Sequence, residues 1–183
     1  RLDKHNMVDN VIFSPRANLR FNPTQNINLR LSYSSGFRAP QAFDEDMHIE
    51  NVGGTVAMIE RAKNLKEEKS QSFSVSADMY HRFGAFQTNL LIEGFYTRLT
   101  DVFVLGKPYD RGDGILVKTR SNGPGAKVMG LTLEGKVAYL SILQIQAGLT
   151  LQRSRYDEPH KWHDDAPAEK KIFRTPDTYG YFT

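Results

Sequence analysis

The sequence predicts an all-β protein built from long antiparallel strands. Two patterns in its 183 residues carry that expectation. Apolar and polar residues alternate with a period of two over long stretches, which puts the apolar side chains on one face of an extended chain. The segments between these stretches alternate between short and long. No stretch has a helical period, and no apolar run nears the roughly 18 residues of a membrane helix.

Phe13–Phe21 is the first strand, with Pro15, Ala17, Leu19 and Phe21 on one face and Ser14, Arg16, Asn18 and Arg20 on the other. Pro15 suits a strand start, where its missing N–H costs no ladder bond. Asn22-Pro23-Thr24-Gln25-Asn26 reads as a turn. Ile27–Ser35 follows and runs on towards Ala39, with Ile27, Leu29, Leu31 and Tyr33 against Asn28, Arg30, Ser32 and Ser34. A long polar connection runs from Pro40 to about Lys69, and within it Thr55–Arg61 fits either a short strand or a helical turn.

Ser70–Phe83 is the third strand, with Phe73, Val75, Ala77 and Met79 opposite a row of serines and Asp78. Gly84-Ala85 is a tight turn into Phe86–Leu105, where Leu91 and Phe95 interrupt the alternation and suggest a bulge. Gly106–Gly114 is a polar loop. Ile115–Leu140 is long for one strand, and Asn122-Gly123-Pro124-Gly125 interrupts it as a bulge or a turn. Ser141-Ile142 is another tight turn. Leu143–Tyr156 is the most regular strand, residues 157–174 form a third long connection, and Thr175–Thr183 begins one more strand.

A half-apolar strand serves a soluble sheet or a membrane barrel. Three features favour the barrel. Connections alternate strictly in length, as where short periplasmic turns face long extracellular loops. Several strands exceed the usual 5–6 residues of soluble sheets and match the roughly 9–11 needed to cross a bilayer. Aromatic residues collect near strand ends, at Phe21, Phe37, Tyr80, Phe83, Phe86, Tyr139 and Tyr156. The competing architecture is a soluble extracellular all-β binding module whose apolar faces pack on each other.

Composition narrows the function. The chain has 24 basic and 21 acidic residues in interspersed order, so nucleic acid is not an expected partner. It has no cysteine, hence no disulfide or thiolate metal site. No secretory leader opens it, and it reads as an interior piece of something longer. No Gly-x-Ser-x-Gly or HExxH pattern occurs, so no enzyme is expected.

Ser34 to Pro40, containing Gly36, Phe37, Arg38, Ala39 and Pro40, resembles the SxGFRAP box of TonB-dependent outer-membrane receptors. Asn64 and Leu65 open a segment to Ser70 that resembles their NPxLKPEKS box, with Ala62-Lys63 in place of Asn-Pro and Glu67 in place of the second Pro. Gly94 to Phe103 resembles their FYxxIxDxI stretch, and Asn122 to Glu134 their NxGxAxxxGxExE stretch. Thr175-Pro176 matches a Pro that enters a late strand. The resemblance covers nearly the whole chain, in family order. It implies that residues 1–183 are a fragment of a roughly 22-stranded transmembrane β-barrel, supplying about seven strands of its C-terminal half. It also implies a plug domain before Arg1 and a final strand after Thr183. The implied function is active import of a bulky nutrient such as a ferric siderophore, with the TonB energy-transducing complex and outer-membrane lipid as partners. Haem is the alternative cargo, because some haem receptors carry a His between the first two boxes, where His48 stands.

The candidate ligand-binding residues lie in the long connections. Asp44, Asp46 and His48 form one polar cluster. His160, Trp162 and His163, followed by Asp164-Asp165, form a second with groups able to hold a ferric chelate. Tyr109 heads a loop with Arg-Gly-Asp and a calcium-loop-like spacing, which a hairpin loop explains better. A solvated loop is the competing reading for each. No cofactor or resident metal is expected. An isolated barrel slice has open strand edges and an apolar face, so self-association in water is expected.

Overall fold

The computed structural model describes residues 1–5, 11–40, 57–112, 115–161, 167–172 and 175–183. Among them there are strands and turns but no helix. In chain order the strands are β1 (Leu2–Asp3), β2 (Ile12–Phe13), β3 (Arg16–Thr24), β4 (Ile27–Arg38), β5 (Ala57–Arg61), β6 (Glu68–Phe83) and β7 (Phe86–Thr100). They continue as β8 (Phe103–Leu105), β9 (Tyr109–Asp110), β10 (Leu116–Asn122), β11 (Ala126–Tyr139), β12 (Leu143–His160), β13 (Glu169–Lys171) and β14 (Thr178–Phe182).

The main sheet is antiparallel and open, in the order β13-β12-β11-β7-β6-β4-β3, with β14 also on β12. Three neighbouring pairs, β3–β4, β6–β7 and β11–β12, are hairpins whose turns are too short to reach past an adjacent strand, while β4–β6 and β7–β11 are joined through the long connections. Gly84 takes a positive φ of 57° in the β6–β7 turn, and Leu140 takes 49° in the β11–β12 turn. The β3–β4 turn is Gln25-Asn26, later than the sequence suggests. Asn22-Pro23 stays within β3, where a register shift between Phe21 and Thr24 absorbs it. Proline is tolerated there because the register shift takes it out of the regular ladder with β4. Phe13 is not part of that strand. It belongs to β2, which pairs with β1.

Side chains of the main sheet sort by parity into continuous rows across the strands. One row runs Leu19–Leu31–Val75–Gly94–Leu131–Leu151, and its neighbour Phe21–Leu29–Ala77–Ile92–Leu133–Leu149. The opposite face carries Arg30–Ser76–Glu93–Thr132–Thr150 in one row. Cross-strand hydroxyl pairs stitch that polar face together: Ser72 with Thr97 at 2.9 Å and Thr132 with Thr150 at 3.1 Å.

Exposure follows the same parity, with the sign reversed from a soluble protein. Along β11 the exposed residues are Met129, Leu131, Leu133, Val137 and Tyr139, while Thr132, Glu134 and Lys136 are half-buried. Val75 is 58% exposed and Leu31 50%. The sheet therefore turns its apolar face outward and its polar face into the concave side. The described buried apolar residues are only Ile12, Ala39, Pro40, Val117 and Ala126, so no second layer covers the apolar rows. The packed sandwich that a soluble module needs is absent from the described residues.

Aromatic side chains border the apolar band on both sides. At the short-turn end Phe83, Phe86 and Tyr139 form a chain of rings, with centroids 5.4 and 4.9 Å apart. At the other end Tyr33 and Phe73 lie 4.7 Å apart, and Tyr96 is registered beside Phe73. Phe86 and Tyr96 lie on the same strand ten residues apart. At ~3.3 Å per residue and a tilt of ~40°, that is a band about 25 Å high, the height of the apolar belt of a transmembrane barrel. The aromatics that the sequence places near strand ends include the first girdle but not Tyr33, Phe73 and Tyr96 of the second. Of its other aromatics, Tyr80 and Tyr156 have the parity of the polar face, and Phe21 falls inside the band.

Leu91 and Phe95 make no bulge: β7 keeps unbroken register with both neighbours. They have polar-face parity, and the Phe95 ring lies over Gly130, so close that a Cβ there would come within 2.6 Å of its Cζ. The glycine is the reason an aromatic fits among polar neighbours. Tyr181 covers Gly148 in the same way, and its hydroxyl accepts a 2.8 Å bond from the Gln146 amide.

Candidate functional site at the long-loop rim

The long connections all leave from one end of the sheet, opposite the tight turns. The described parts of those after β4 and β7 form a second sheet, ordered β5-β10-β8 with β9 on β10, while β13 of the last one pairs with β12. Residues 57–61 are thus a strand, paired in parallel with β10 from Leu116–Ala57 to Arg120–Arg61. Val117 is fully buried and Arg120 3% exposed, giving this small sheet its own packed centre.

The chain moves from main sheet to rim sheet at two breaks. β7 ends at Thr100, and the next residue, Asp101, with a φ of 55°, turns the backbone into β8 rather than continuing to Leu105 in one strand. Aspartate tolerates that left-handed region better than most residues. The second break is Gly123-Pro124-Gly125, between β10 and β11. A side chain at Gly123 would strike Val104, and one at Gly125 would strike the Leu99 carbonyl and the Asp157 carboxylate.

Asn122 clasps the two breaks together. Its Nδ2 donates to the Asp101 carbonyl at 2.8 Å and the Lys66 carbonyl at 3.0 Å. Its Oδ1 accepts from the Lys66 backbone N–H at 2.8 Å. Both amide protons and the amide oxygen are used, which no other side chain of that length reproduces. Nearby, the Glu68 carboxylate accepts from the Phe103 N–H at 2.9 Å, and the Arg38 guanidinium lies 4.8 Å from the Phe103 ring centroid.

The four sequence boxes therefore meet at one rim. Gly36, Phe37 and Arg38 end β4, registered against Ser70, Lys69 and Glu68. A Cβ on Gly36 would sit 3.0 Å from the Ser70 hydroxyl. Ala39 and Pro40 are buried just beyond. Asn64 is exposed and Leu65 half-buried in the turn before β6, where the Leu65 N–H donates to Ala62. These residues hold the base of the loops. Nothing in the sequence pattern announces Asn122 as their clasp, though its place at the head of the fourth box is a signal that could have found it.

The candidate ligand residues stand apart from this clasp. Tyr109 is exposed in β9, and the loop after it closes through a 2.7 Å bond from the Gly112 N–H to the Asp110 carboxylate. His160 lies in β12 opposite Glu169, so β12 runs four residues past Tyr156. Asp44, Asp46, His48, Trp162 and His163 lie outside the described residues. Among the described residues no group of three or more His, Asp or Glu is placed to hold a metal ion.

An outward apolar belt between two aromatic girdles, a polar concave face, tight turns below and clasped loops above define a segment of a transmembrane β-barrel wall. The family model of the TonB dependent receptor-like β-barrel matches residues 1–182, and the chain belongs to that family. It is a family of bacterial outer-membrane transport receptors, not enzymes. No curated protein matches the sequence.

Solved structures share the fold. The siderophore receptor PirA from Pseudomonas aeruginosa matches over 85% of this chain and 30% of its own, with 19% identity and a TM-score of 0.67. The FrpB iron transporter from Neisseria meningitidis matches in two variants. F5-1 covers 86% of this chain and 22% of its own at 19% identity and TM-score 0.59. F3-3 covers 80% and 20% at 18% identity and TM-score 0.57. The chain thus spans less than a third of the length of these structures.

Proposed function

We propose that the chain forms part of the wall of a roughly 22-stranded barrel that imports a ferric siderophore or similarly bulky ferric chelate across the outer membrane. The observation that carries this reading is the inside-out sheet, with its lipid-facing belt and wet concave face. The iron cargo is supported by the names of the related structures, an iron transporter and a siderophore receptor. The loops gather the chelate from outside, with Asp44, Asp46, His48, Tyr109, His160, Trp162 and His163 as its contacts. The polar face lines the passage, and the TonB complex supplies energy through a plug carried elsewhere in the protein. A segment cut from the barrel, with open edges and an uncovered apolar belt, self-associates in water.

The test is uptake of radioactive iron, presented as siderophore chelates, by iron-starved cells carrying the native-length protein. Replacing residues 162–166 by a short Gly-Ser linker is expected to abolish uptake while surface-exposed barrel still assembles. Inactivating TonB is expected to do the same. Unchanged uptake by the loop variant, or uptake that survives loss of TonB, contradicts the reading.

A further inference from the structure

Asn122-Gly123 is the one Asn-Gly pair in the sequence. In a free chain this pair is chemically unstable. Glycine puts no side chain in the way, so its backbone nitrogen reaches the asparagine carboxamide carbon and expels ammonia. The fold nonetheless requires both residues. A Cβ at position 123 would stand 2.6 Å from Cγ1 of Val104, so only glycine fits. Position 122 needs donors and an acceptor on one short side chain to bridge Lys66 and Asp101.

In the closed rim both reacting groups are engaged elsewhere. The Gly123 N–H donates to the Val102 carbonyl at 2.7 Å, and Asn122 is held in β10 opposite Phe103. Its carboxamide is turned to residues 66 and 101 by three hydrogen bonds, and it must leave them to meet the Gly123 nitrogen. The strands of the rim sheet are short, and Val117 is its fully buried apolar side chain. So little buried apolar contact makes the rim the part that opens before the main sheet. Asn122 is only half-buried, so water reaches it once the rim opens.

We propose that Asn122 is a modification site, where deamidation is gated by opening of the rim and its product stops the rim from closing again. In the open rim the Gly123 nitrogen, having given its proton to hydroxide, forms a bond to Cγ of Asn122. The Cγ–Nδ2 bond breaks, ammonia leaves, and a cyclic succinimide remains. Water then opens the ring at one carbonyl or the other, giving aspartate or isoaspartate, and no oxidant or reductant is consumed. The new carboxylate only accepts hydrogen bonds. It keeps the Lys66 N–H but loses both donated bonds, and its charge faces the two carbonyls the amide had served. Isoaspartate also lengthens the backbone beside the Gly123–Val104 contact. Either product unfastens β10 from the end of β7 and from the turn before β6. The reaction does not reverse, so the rim of an aged protein stays loose, whatever the cargo and the energy source.

The experiment ages the native-length protein in detergent at mildly alkaline pH and follows the tryptic peptide Ser121–Lys127 by mass spectrometry, beside the same protein unfolded in guanidinium chloride. The folded protein is expected to be modified more slowly on the order of a hundredfold, because three side-chain hydrogen bonds break first. Glu68→Ala, which releases the tie to the Phe103 N–H without touching Asn122, is expected to raise the folded rate severalfold. Asn64, exposed in the same rim but followed by leucine, stays intact. The deamidated fraction of aged wild-type protein, separated by ion exchange, and the Asn122→Asp variant are both expected to be cut by trypsin at Lys118 and Arg120 about ten times faster than fresh protein. Asn64→Asp is cut like wild type. The aged fraction supplies this readout if Asn122→Asp fails to assemble. Equal rates in folded and unfolded protein, or a folded rate untouched by Glu68→Ala, overturn the gating. Undiminished protease resistance of the deamidated fraction overturns the release.

Discussion

Leu133→Arg is expected to destabilise the folded barrel by ~2–4 kcal/mol, the cost of a cation on the lipid face near mid-depth. Leu133 lies in the middle apolar row, between Ile92 and Leu149, at 38% exposure. In a soluble sheet that much exposure makes an arginine nearly free. In the membrane the exposed side meets acyl chains, so exposure and cost rise together. Glu134 is the internal control. It is the next residue, on the concave polar face, and Glu134→Arg is expected to shift stability by less than about 1 kcal/mol. Urea titrations of the native-length protein folded into vesicles measure both. Equal effects at the two positions contradict the assignment of faces.

The second large effect is at the glycines beneath the lumen-facing aromatics. Gly148→Ala and Gly130→Ala are each expected to cost roughly 1–3 kcal/mol, because each forces extra volume into a filled site. Their rescue differs. At Gly148 the three atoms nearest the new Cβ all belong to the Tyr181 ring, so Tyr181→Ser restores most of the loss. At Gly130 the Cβ also stands 2.6 Å from the Leu151 carbonyl oxygen, so Phe95→Ala removes one clash and leaves the backbone one. Double-mutant cycles in the same urea assay are expected to show strong coupling for the first pair and weak coupling for the second. Coupling of equal size at both sites contradicts it.

The period-two pattern made most of this wall legible. Leu29, Leu31 and Tyr33, or Leu131, Leu133 and Val137, fall on one face in any extended conformation, and the β6–β7 and β11–β12 registers follow once the tight turns at Gly84 and Ser141 are placed. What the pattern could not carry is pairing between distant segments. The parallel match of β5 to β10 joins residues that no local signal relates. The same is true of β13 and β14, which share one edge of β12 in two pieces, so that residues 169–171 read as loop. The Asn122 clasp depends on both breaks being brought together, and a polar residue before Gly-Pro-Gly looks like any turn residue. The outer girdle was hidden because Tyr33, Phe73 and Tyr96 sit inside long strands, whose ends lie beyond the membrane edge.

The chain has no cysteine, so single cysteines placed along residues 129–139 can each carry one spin label. Accessibility to dissolved oxygen, which partitions into lipid, and to a nickel chelate, which stays in water, can be measured for each label in vesicles. The expected result is an unbroken period of two, with labels at 129, 131, 133, 135 and 137 favouring oxygen and those at 130, 132, 134 and 136 favouring the chelate. Labels of both parities reporting water, or the apolar positions shielded from oxygen and chelate alike, would mean that the apolar face of this sheet does not meet the membrane.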